Sequence, residues 1–233
     1  MVESQNPFNK IASLDVALEQ LHDGMTIMFG GFGGVGSPPT LIEGMIAKNL
    51  TDLTLIGNDT GFPQIGIGKI VSQGRVRKII ASHIGSNPIA GRLMNEGRLE
   101  VEFSPQGTLV ERIRAGGMGL GAVLTDVGVD NEIVSTGKKR IELNGRTYLV
   151  EPALTAQVSI VYAKKADPYG NLIYDKSARN TNPLVAMAGK FTIAEVEEIV
   201  PLGSLNPEEI VTPGVFVDMI ILSSGVNWKW AWE

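Results

Sequence analysis

The densest group of residues with chemical potential is a glycine turn near the N-terminus. Five glycines lie between positions 30 and 36, and Gly31, Gly33 and Gly36 match the spacing G-x-G-x-x-G. The turn follows a continuous apolar run, residues 25–29, which is typical of a buried strand, and it precedes a predicted helix. A glycine loop at a helix N-terminus presents backbone N–H groups to negative charge. The pattern therefore predicts an anionic ligand, whether a phosphate, a carboxylate or an oxyanion.

Three interpretations of this turn stay open on spacing alone. A nicotinamide-dependent oxidoreductase would use residues 31–36 for the pyrophosphate, with Asp59, about 20 residues further on, holding a ribose hydroxyl. A non-catalytic module would use the turn to sense a small carboxylate or phosphate. A plain tight turn is the third interpretation, but five glycines within positions 30 to 36 cost backbone entropy that such a turn does not require.

The remaining side chains exclude several kinds of site. No cysteine is present, and the two histidines are His22 and His83, so thiolate chemistry is excluded and a metal site is not expected. His83 follows an apolar strand, which favours a hydrogen-bonded core histidine over a general base. No nucleophile and base stand in a pattern that predicts a complete catalytic apparatus.

Charge and hydropathy limit the kinds of partner that the protein can bind. The formal net charge is −5, whereas nucleic-acid binding requires a concentrated basic surface. The first ten residues are polar and lack the apolar core of a signal peptide. No apolar run approaches the length of about 18 residues that a membrane span requires. We therefore expect a cytoplasmic protein that binds neither nucleic acid nor membrane.

Strand and helix patterns alternate through the first half of the chain. The apolar run at residues 25–29 predicts a strand that is buried on both faces, and residues 53–56 and 78–81 predict further core strands. Ser37 as N-cap and Pro38 as first helical residue favour a helix directly after the glycine turn. This alternation predicts an α/β fold in which helices flank an open, mostly parallel sheet.

The middle and the end of the chain depart from this alternation of strands and helices. Polar and apolar residues alternate around Asn144-Gly145 and predict an antiparallel hairpin flap around residues 139–150. We assign residues 1–222 to one domain and residues 223–233, which hold all three tryptophans, to a tail. Docking of the tail on its own domain and docking on a partner chain are equally favoured.

The wider sequence around the turn resembles the first signature of family I coenzyme A transferases. That signature combines an acidic or amide residue and glycine, an apolar run, Gly-Gly-Phe and a spaced Gly-x-Pro. Its counterparts here are Asp23-Gly24, residues 27–29, Gly30-Gly31-Phe32 and Gly36-Ser-Pro38. The resemblance continues in Leu55-Ile-Gly-Asn-Asp-Thr-Gly61, Ser104-Pro-Gln-Gly-Thr-Leu-Val-Glu-Arg-Ile-Arg-Ala-Gly-Gly117 and Lys176-Ser-Ala-Arg-Asn180. These motifs are most similar to those in the α subunits of enzymes that move CoA between acetate, butyrate and acetoacetate.

The resemblance implies a division of labour between two subunits. In the family, a glutamate attacks an acyl-CoA to give an anhydride and then a glutamyl-CoA thioester. That glutamate lies in a Ser-Glu-Asn-Gly motif, which is absent from these 233 residues and belongs to the second subunit. The implied assembly is an α2β2 heterotetramer in which this chain is the α subunit. CoA would be a substrate, with small carboxylates as acceptors and with no permanently bound cofactor.

Matching the family motifs residue by residue implies the site. Asn58, after a strand, and Gln106, on a turn before a helix, would position the substrate and stabilise an oxyanion, because neutral amides donate without adding charge. The segment that contacts CoA would be Gly30, Gly31, Phe32, Gly33, Gly34, Val35 and Gly36. One segment departs from the family, since Thr125-Asp-Val-Gly-Val-Asp-Asn131 replaces a Thr-Pro-Thr-Gly-x-Gly-Thr loop. If that loop meets the acyl group, the substrate preference should differ from that of the nearest relatives.

Overall fold

The computed structural model describes residues 8–229. Its α-helices are α1 (Leu14–Glu19), α2 (Pro39–Ala47), α3 (Gly68–Ser72), α4 (Pro88–Asn95), α5 (Gln106–Gly117), α6 (Glu132–Ser135) and α7 (Asn182–Ala188). Its strands are β1 (Thr26–Phe29), β2 (Leu53–Ile56), β3 (Val76–Ala81), β4 (Glu100–Phe103), β5 (Ala122–Thr125), β6 (Arg140–Leu143), β7 (Arg146–Pro152), β8 (Ala156–Ala166), β9 (Leu172–Ile173), β10 (Gly189–Ile199) and β11 (Met219–Leu222). Short 3-10 helices span Lys176–Arg179, Pro207–Glu209 and Gly214–Phe216.

A mostly parallel sheet forms the centre of the fold, as the sequence predicts. Its strand order is β11-β10-β8-β1-β2-β3-β4, with each neighbouring pair parallel, and β9 pairs antiparallel with β8. Strand β1 shows why both faces are apolar. Ile27 and Phe29 belong to one core cluster while Met28 belongs to the other, because successive side chains point to opposite faces. Helices therefore cover the sheet on both sides.

The predicted hairpin is confirmed and is part of a second sheet. Strands β6 and β7 pair antiparallel across Asn144 and Gly145, both at positive φ, and β5 adds a third strand in the order β5-β7-β6. Arg112 of α5 ties this sheet to the rest of the molecule. Its buried guanidinium donates to the carbonyl of Pro152 at 2.8 Å and to Glu102 at 2.9 Å. The second sheet is thus anchored to the helix that begins with Gln106.

The start of α2 differs from the prediction. The helix begins at Pro39, with Pro38 as its N-cap residue and without a capping bond from Ser37. Its free amides instead meet the buried carboxylate of Glu195, which accepts from the N–H groups of Thr40 at 3.0 Å and Leu41 at 2.9 Å. Burial raises the pKa of the Glu195 carboxyl. A side chain from β10 therefore does what a local serine was expected to do.

The first residues of the predicted tail contact their own chain. Ser224 Oγ lies 2.9 Å from Thr40 Oγ1, and the ammonium of Lys69 lies 5.7 Å from the ring centroid of Trp228. Residues 230–233 lie outside the described residues, and the division between residues 1–222 and the tail stays a prediction. Within residues 8–229, no helix combines the length and the apolar character needed to cross a membrane.

Candidate functional site

The two predicted amides meet at the carboxyl-terminal edge of the parallel sheet. Asn58 lies two residues beyond β2, and Gln106 is the first residue of α5, not a residue of the turn before it. Gln106 Nε2 donates to Asn58 Oδ1 at 2.8 Å. Forty-eight positions separate the two residues in the sequence, so the sheet is what brings them together. The carboxyl ends of parallel strands are the usual location of ligand sites in open α/β folds. We call Asn58 and Gln106 the amide pair.

The carboxylate of Asp59 orients the amide pair. Asp59 Oδ2 accepts from Asn58 Nδ2 at 2.8 Å and from the N–H of Gly33 at 2.8 Å, while Oδ1 accepts from the N–H of Gly61 at 2.7 Å. A carboxylate accepts and does not donate, so the amino group of Asn58 must face it. The oxygen of Asn58 then faces Gln106, whose amino group must donate. One buried charge thereby sets the direction of both amides.

Each amide keeps a donor that the network does not use. Ser82 Oγ donates to the carbonyl of Asn58 at 2.7 Å and lies 3.3 Å from its Oδ1, which holds the residue in place. Among residues 8–229, Asn58 Nδ2 and Gln106 Nε2 each make one hydrogen bond as a donor. Each amino group has two N–H bonds, so one N–H on each residue has no partner within residues 8–229.

Two cavities meet at the amide pair. The larger has a volume of about 870 Å³ and the smaller about 550 Å³, and both are lined by Phe32, Asn58 and Gln106. The larger cavity extends over α5, over β5 and the loop after it, and over the segment before α7. The smaller cavity extends toward the chain that follows β3. Phe32 is 52% exposed and stands where the two volumes join.

The charged groups around the larger cavity are already paired. Glu111 and Arg114 line it and contact each other at 2.7 Å, and Asp59, in the smaller cavity, accepts three hydrogen bonds from its own chain. Within residues 8–229, no group of three or more histidine, aspartate or glutamate side chains could hold a metal ion. The lining therefore offers hydrogen-bond donors to a substrate.

The glycine loop, residues 30–36, uses its backbone donors internally. The N–H of Gly31 donates to Asn180 Oδ1 at 3.1 Å, and the N–H of Gly33 donates to Asp59. Phe32 and Val35 exchange two backbone hydrogen bonds, at 2.9 and 3.0 Å. The expectation that this loop and the α2 N-terminus present free N–H groups to an anion is therefore wrong for these donors, whereas the N–H groups of Gly34 and Gly36 have no partner within residues 8–229. The assignment of residues 30–36 to CoA contact stays a prediction, and the loop would make that contact through its shape, through Phe32 and through these two N–H groups.

Two asparagines near α7 hold the glycine loop from its other side. Asn180 Nδ2 donates to the carbonyl of Val35 at 2.9 Å, and Asn182 Nδ2 donates to the carbonyl of Gly36 at 2.9 Å. Sequence reasoning did not assign them a role. Asn180 ends the segment Lys176-Ser-Ala-Arg-Asn180, which resembles the family, so the sequence did mark this residue. The carbonyl of Val35 that it contacts lies about 145 residues away. The loop is a fixed part of the scaffold.

The dinucleotide interpretation conflicts with the geometry of Asp59. A ribose-binding acidic residue must offer free carboxylate oxygens to the sugar hydroxyls. Both oxygens of Asp59 are committed to the chain's own N–H groups, and the residue is 4% exposed. The glycine turn thus has the spacing of a dinucleotide motif without the acceptor that the motif requires.

His83 is placed differently from the expectation. Its ring is exposed and lines the smaller cavity, so it is not a core histidine. Residues 125 and 127 of the divergent loop line the larger cavity, whereas contact of this loop with an acyl group stays a prediction.

Comparison with known proteins identifies the family. The family model described as coenzyme A transferase matches residues 11–223. A probable coenzyme A transferase subunit alpha from Bacillus subtilis is 59% identical over 97% of this chain and 99% of its own length. The chain belongs to the coenzyme A transferase family. The acetate CoA-transferase subunit alpha of Escherichia coli is 49% identical to this family member over 92% of this chain and 97% of its own length.

Solved structures show the same fold for this coenzyme A transferase family member. The acyl-CoA transferase YdiF from Escherichia coli O157:H7, as a thioester complex with CoA, has a TM-score of 0.84 and 20% identity. The match covers 93% of this chain and 48% of the YdiF chain, so this chain spans about half the length of that protein. Glutaconate coenzyme A-transferase from Acidaminococcus fermentans has a TM-score of 0.78 and 21% identity, covering 91% of this chain and 75% of that one.

Proposed function

We propose that this chain is the α subunit of an enzyme that exchanges CoA between a short-chain acyl-CoA and a carboxylate. The observation that carries the proposal is the amide pair, two oriented donors at the junction of two cavities. Such a site can stabilise the negative charge that develops in an acyl transfer. It fits a subunit that completes the active site of a partner.

The partner would supply the nucleophile. Its glutamate, in a Ser-Glu-Asn-Gly motif, attacks the thioester carbonyl of the acyl-CoA, and the thiolate of CoA leaves. The thiolate then attacks the resulting anhydride at the glutamyl carbonyl, which releases the first carboxylate and leaves a glutamyl-CoA thioester. The second carboxylate reverses the two steps. CoA is a substrate throughout, and the exchange needs no resident cofactor.

The free N–H groups of Asn58 and Gln106 would stabilise the tetrahedral intermediates. Each attack places negative charge on a former carbonyl oxygen, and two donors that are already oriented lower the energy of that charge without rearrangement. Because the amides are neutral, they do not hold the carboxylate product after the reaction as a lysine or an arginine would. The network through Asp59 keeps both donors in one orientation.

The substrate is proposed to be acetate, butyrate or acetoacetate. Support comes from relatives such as the acetoacetyl-CoA:acetate/butyrate CoA transferase alpha subunit of Clostridium acetobutylicum, which is 49% identical over 85% of this chain. Other relatives of 46% and 42% identity carry the names succinyl-CoA:3-ketoacid and 3-oxoadipate transferase subunits, so the family itself spans several acyl groups. We propose an α2β2 assembly with the β subunit.

The proposal is tested by separating and reuniting the subunits. This chain alone should show no transfer of CoA from acetoacetyl-CoA to acetate, and addition of the β subunit should restore it. Initial rates of the complex should be ping-pong, with parallel double-reciprocal lines, and hydroxylamine should modify a glutamate of the partner. Transfer activity of the isolated chain, or intersecting lines together with micromolar binding of NADH, would refute the proposal.

A further inference from the structure

The smaller cavity is lined by an imidazole, that of His83, which the proposed mechanism does not use. His83 lies just beyond β3, where its backbone pairs with Asp59 and accepts from the N–H of Thr60 at 3.2 Å. Its ring lines the same cavity as the amide pair. A short acyl group whose thioester oxygen contacts Asn58 and Gln106 would therefore direct its chain toward a wall that includes this imidazole.

The ring of His83 is held in one orientation. Its Nε2 accepts the N–H of Ser86 at 3.1 Å, and Ser86 is itself fixed because its Oγ donates to the carbonyl of Gly61 at 2.8 Å. Position 85 is a glycine, and a Cβ there would come within 2.9 Å of the imidazole Cε1. Within the local sequence His83-Ile-Gly-Ser86, the N–H of Ser86 donates to the ring and Gly85 leaves space for it.

This orientation makes His83 a hydrogen-bond donor. Since Nε2 accepts, the hydrogen of the imidazole is on Nδ1. Nδ1 has no hydrogen-bond partner within residues 8–229, and the residue is exposed and lines the cavity. A neutral oxygen acceptor on the acyl chain would satisfy it.

The remaining lining decides which acceptor fits. Phe32, Val35 and Phe62 provide apolar walls for a short carbon chain, and no lysine or arginine among residues 8–229 lines the smaller cavity. The carboxylate of Asp59 also borders it. A second carboxylate at the end of the acyl chain would find one neutral donor and no cation, whereas a keto oxygen needs no more than that donor.

We propose that the smaller cavity is the acyl subsite and that His83 is a specificity-determining residue for acyl groups with a 3-oxo oxygen. The inference rests on the proposed function and adds the acyl class that the site prefers. It predicts that the complex uses acetoacetate better than butyrate, which lacks the keto oxygen, and better than succinate, which ends in a carboxylate.

The test compares substrate ratios in the assembled complex. His83→Phe removes the donor and keeps a flat ring, so the ratio of kcat/KM for acetoacetate to kcat/KM for butyrate should fall about tenfold, the effect of one ordinary hydrogen bond. His83→Asn keeps an N–H donor and should recover part of the ratio. His22→Phe is the matched control, because His22 is the other histidine, is exposed and lines neither cavity.

Each outcome decides for or against the inference. A selective loss with acetoacetate, with partial rescue by asparagine, supports it. An equal loss with acetoacetate and butyrate, a wild-type complex that prefers succinate, or a wild-type complex that does not distinguish acetoacetate from butyrate overturns it and leaves the proposed function standing. Absence of transfer with every carboxylate, acetate included, overturns the proposed function and this inference with it.

Discussion

The glycine loop and the amide pair lie side by side at one end of the parallel sheet, yet they use their hydrogen-bond donors differently. The loop gives the N–H groups of Gly31, Phe32, Gly33 and Val35 to Asn180, to Asp59 and to its own turn, while those of Gly34 and Gly36 have no partner within residues 8–229. The amide pair uses one N–H per residue internally and leaves the other free. Asp59 links the two regions, since it accepts from both Gly33 and Asn58.

The difference separates scaffold from chemistry. A loop that satisfies most of its donors within the protein is held in place and offers mainly its shape, which suits the positioning of a side chain such as Phe32. An amide with a free N–H offers an interaction that can strengthen as charge develops on a substrate. The more conspicuous sequence motif is therefore the structural one, and the two isolated amides are the candidates for catalysis.

The largest expected effect is the loss of a catalytic donor. Gln106→Ala should lower kcat about a hundredfold, equivalent to about 3 kcal/mol of barrier, because one donor to the oxyanion is removed. Gln106→Glu keeps the size of the side chain but replaces the amino group with an acceptor, and it should lose at least as much. Gln106 is exposed, so the melting temperature and the assembly should be retained.

Gln64→Ala is the matched control for this prediction. Gln64 is also an exposed amide, and it lines neither of the two cavities that meet at the amide pair. Its replacement should leave kcat unchanged. Near-normal turnover of Gln106→Ala would mean that the amide pair, like the loop, is structural, and the contrast between the two regions would disappear.

Local sequence patterns predicted the framework well. The predicted core strands became β1, β2 and β3, and Asn144-Gly145 became the turn of the hairpin, because burial and turn conformation are decided by neighbouring residues. The cap of α2 was predicted wrongly because Glu195, about 155 positions away, supplies it. Strand β5 was not predicted, since its partner β7 is contributed by a later segment.

The candidate site was predicted by resemblance and not by pattern. Judged from neighbouring residues alone, Asn58 is an ordinary turn residue and Gln106 an exposed amide. Their separation of 48 residues does not indicate that they contact each other. The roles of Asp59, Asn180 and Asn182 in orienting the site were missed for the same reason. Each acts through a hydrogen bond whose other end lies on a different element, and such contacts exist only after the sheet has formed.

The second prediction tests whether the loop is scaffold. Gly33 and Gly36 both have positive φ, at 57° and 76°, so alanine is strained at either position by about 1 kcal/mol. A Cβ at Gly33 would meet nothing closer than Phe62 at 3.6 Å, whereas at Gly36 it would overlap the carbonyl oxygen of Ala178. Gly36→Ala should therefore lower the free energy of unfolding by about 2 kcal/mol more than Gly33→Ala.

Denaturant unfolding of the two variants measures that difference, and each glycine serves as the control for the other. Equal stability of Gly33→Ala and Gly36→Ala would show that the packing of the loop against Ala178 and the nearby asparagines is not a constraint. If Gly36→Ala kept its stability but lost affinity for acyl-CoA, the loop backbone would bind the substrate. The loop would then not be a scaffold alone.

The smallest expected effect comes from Phe32, the side chain that the rigid loop presents to both cavities. Phe32→Ala should raise KM for acyl-CoA about tenfold, or about 1.4 kcal/mol, because an apolar wall shared by the two cavities is lost. The value of kcat should change little, since the donors of Asn58 and Gln106 do not depend on the ring, and stability should be kept because the ring is 52% exposed.

Phe8→Ala is the control, as Phe8 is 62% exposed and lines neither cavity. Initial rates of the assembled complex with acetoacetyl-CoA and acetate separate the two constants. A loss in kcat as large as that of Gln106→Ala would place the ring at the reacting atoms, and the division between a positioning loop and a catalytic amide pair would then fail.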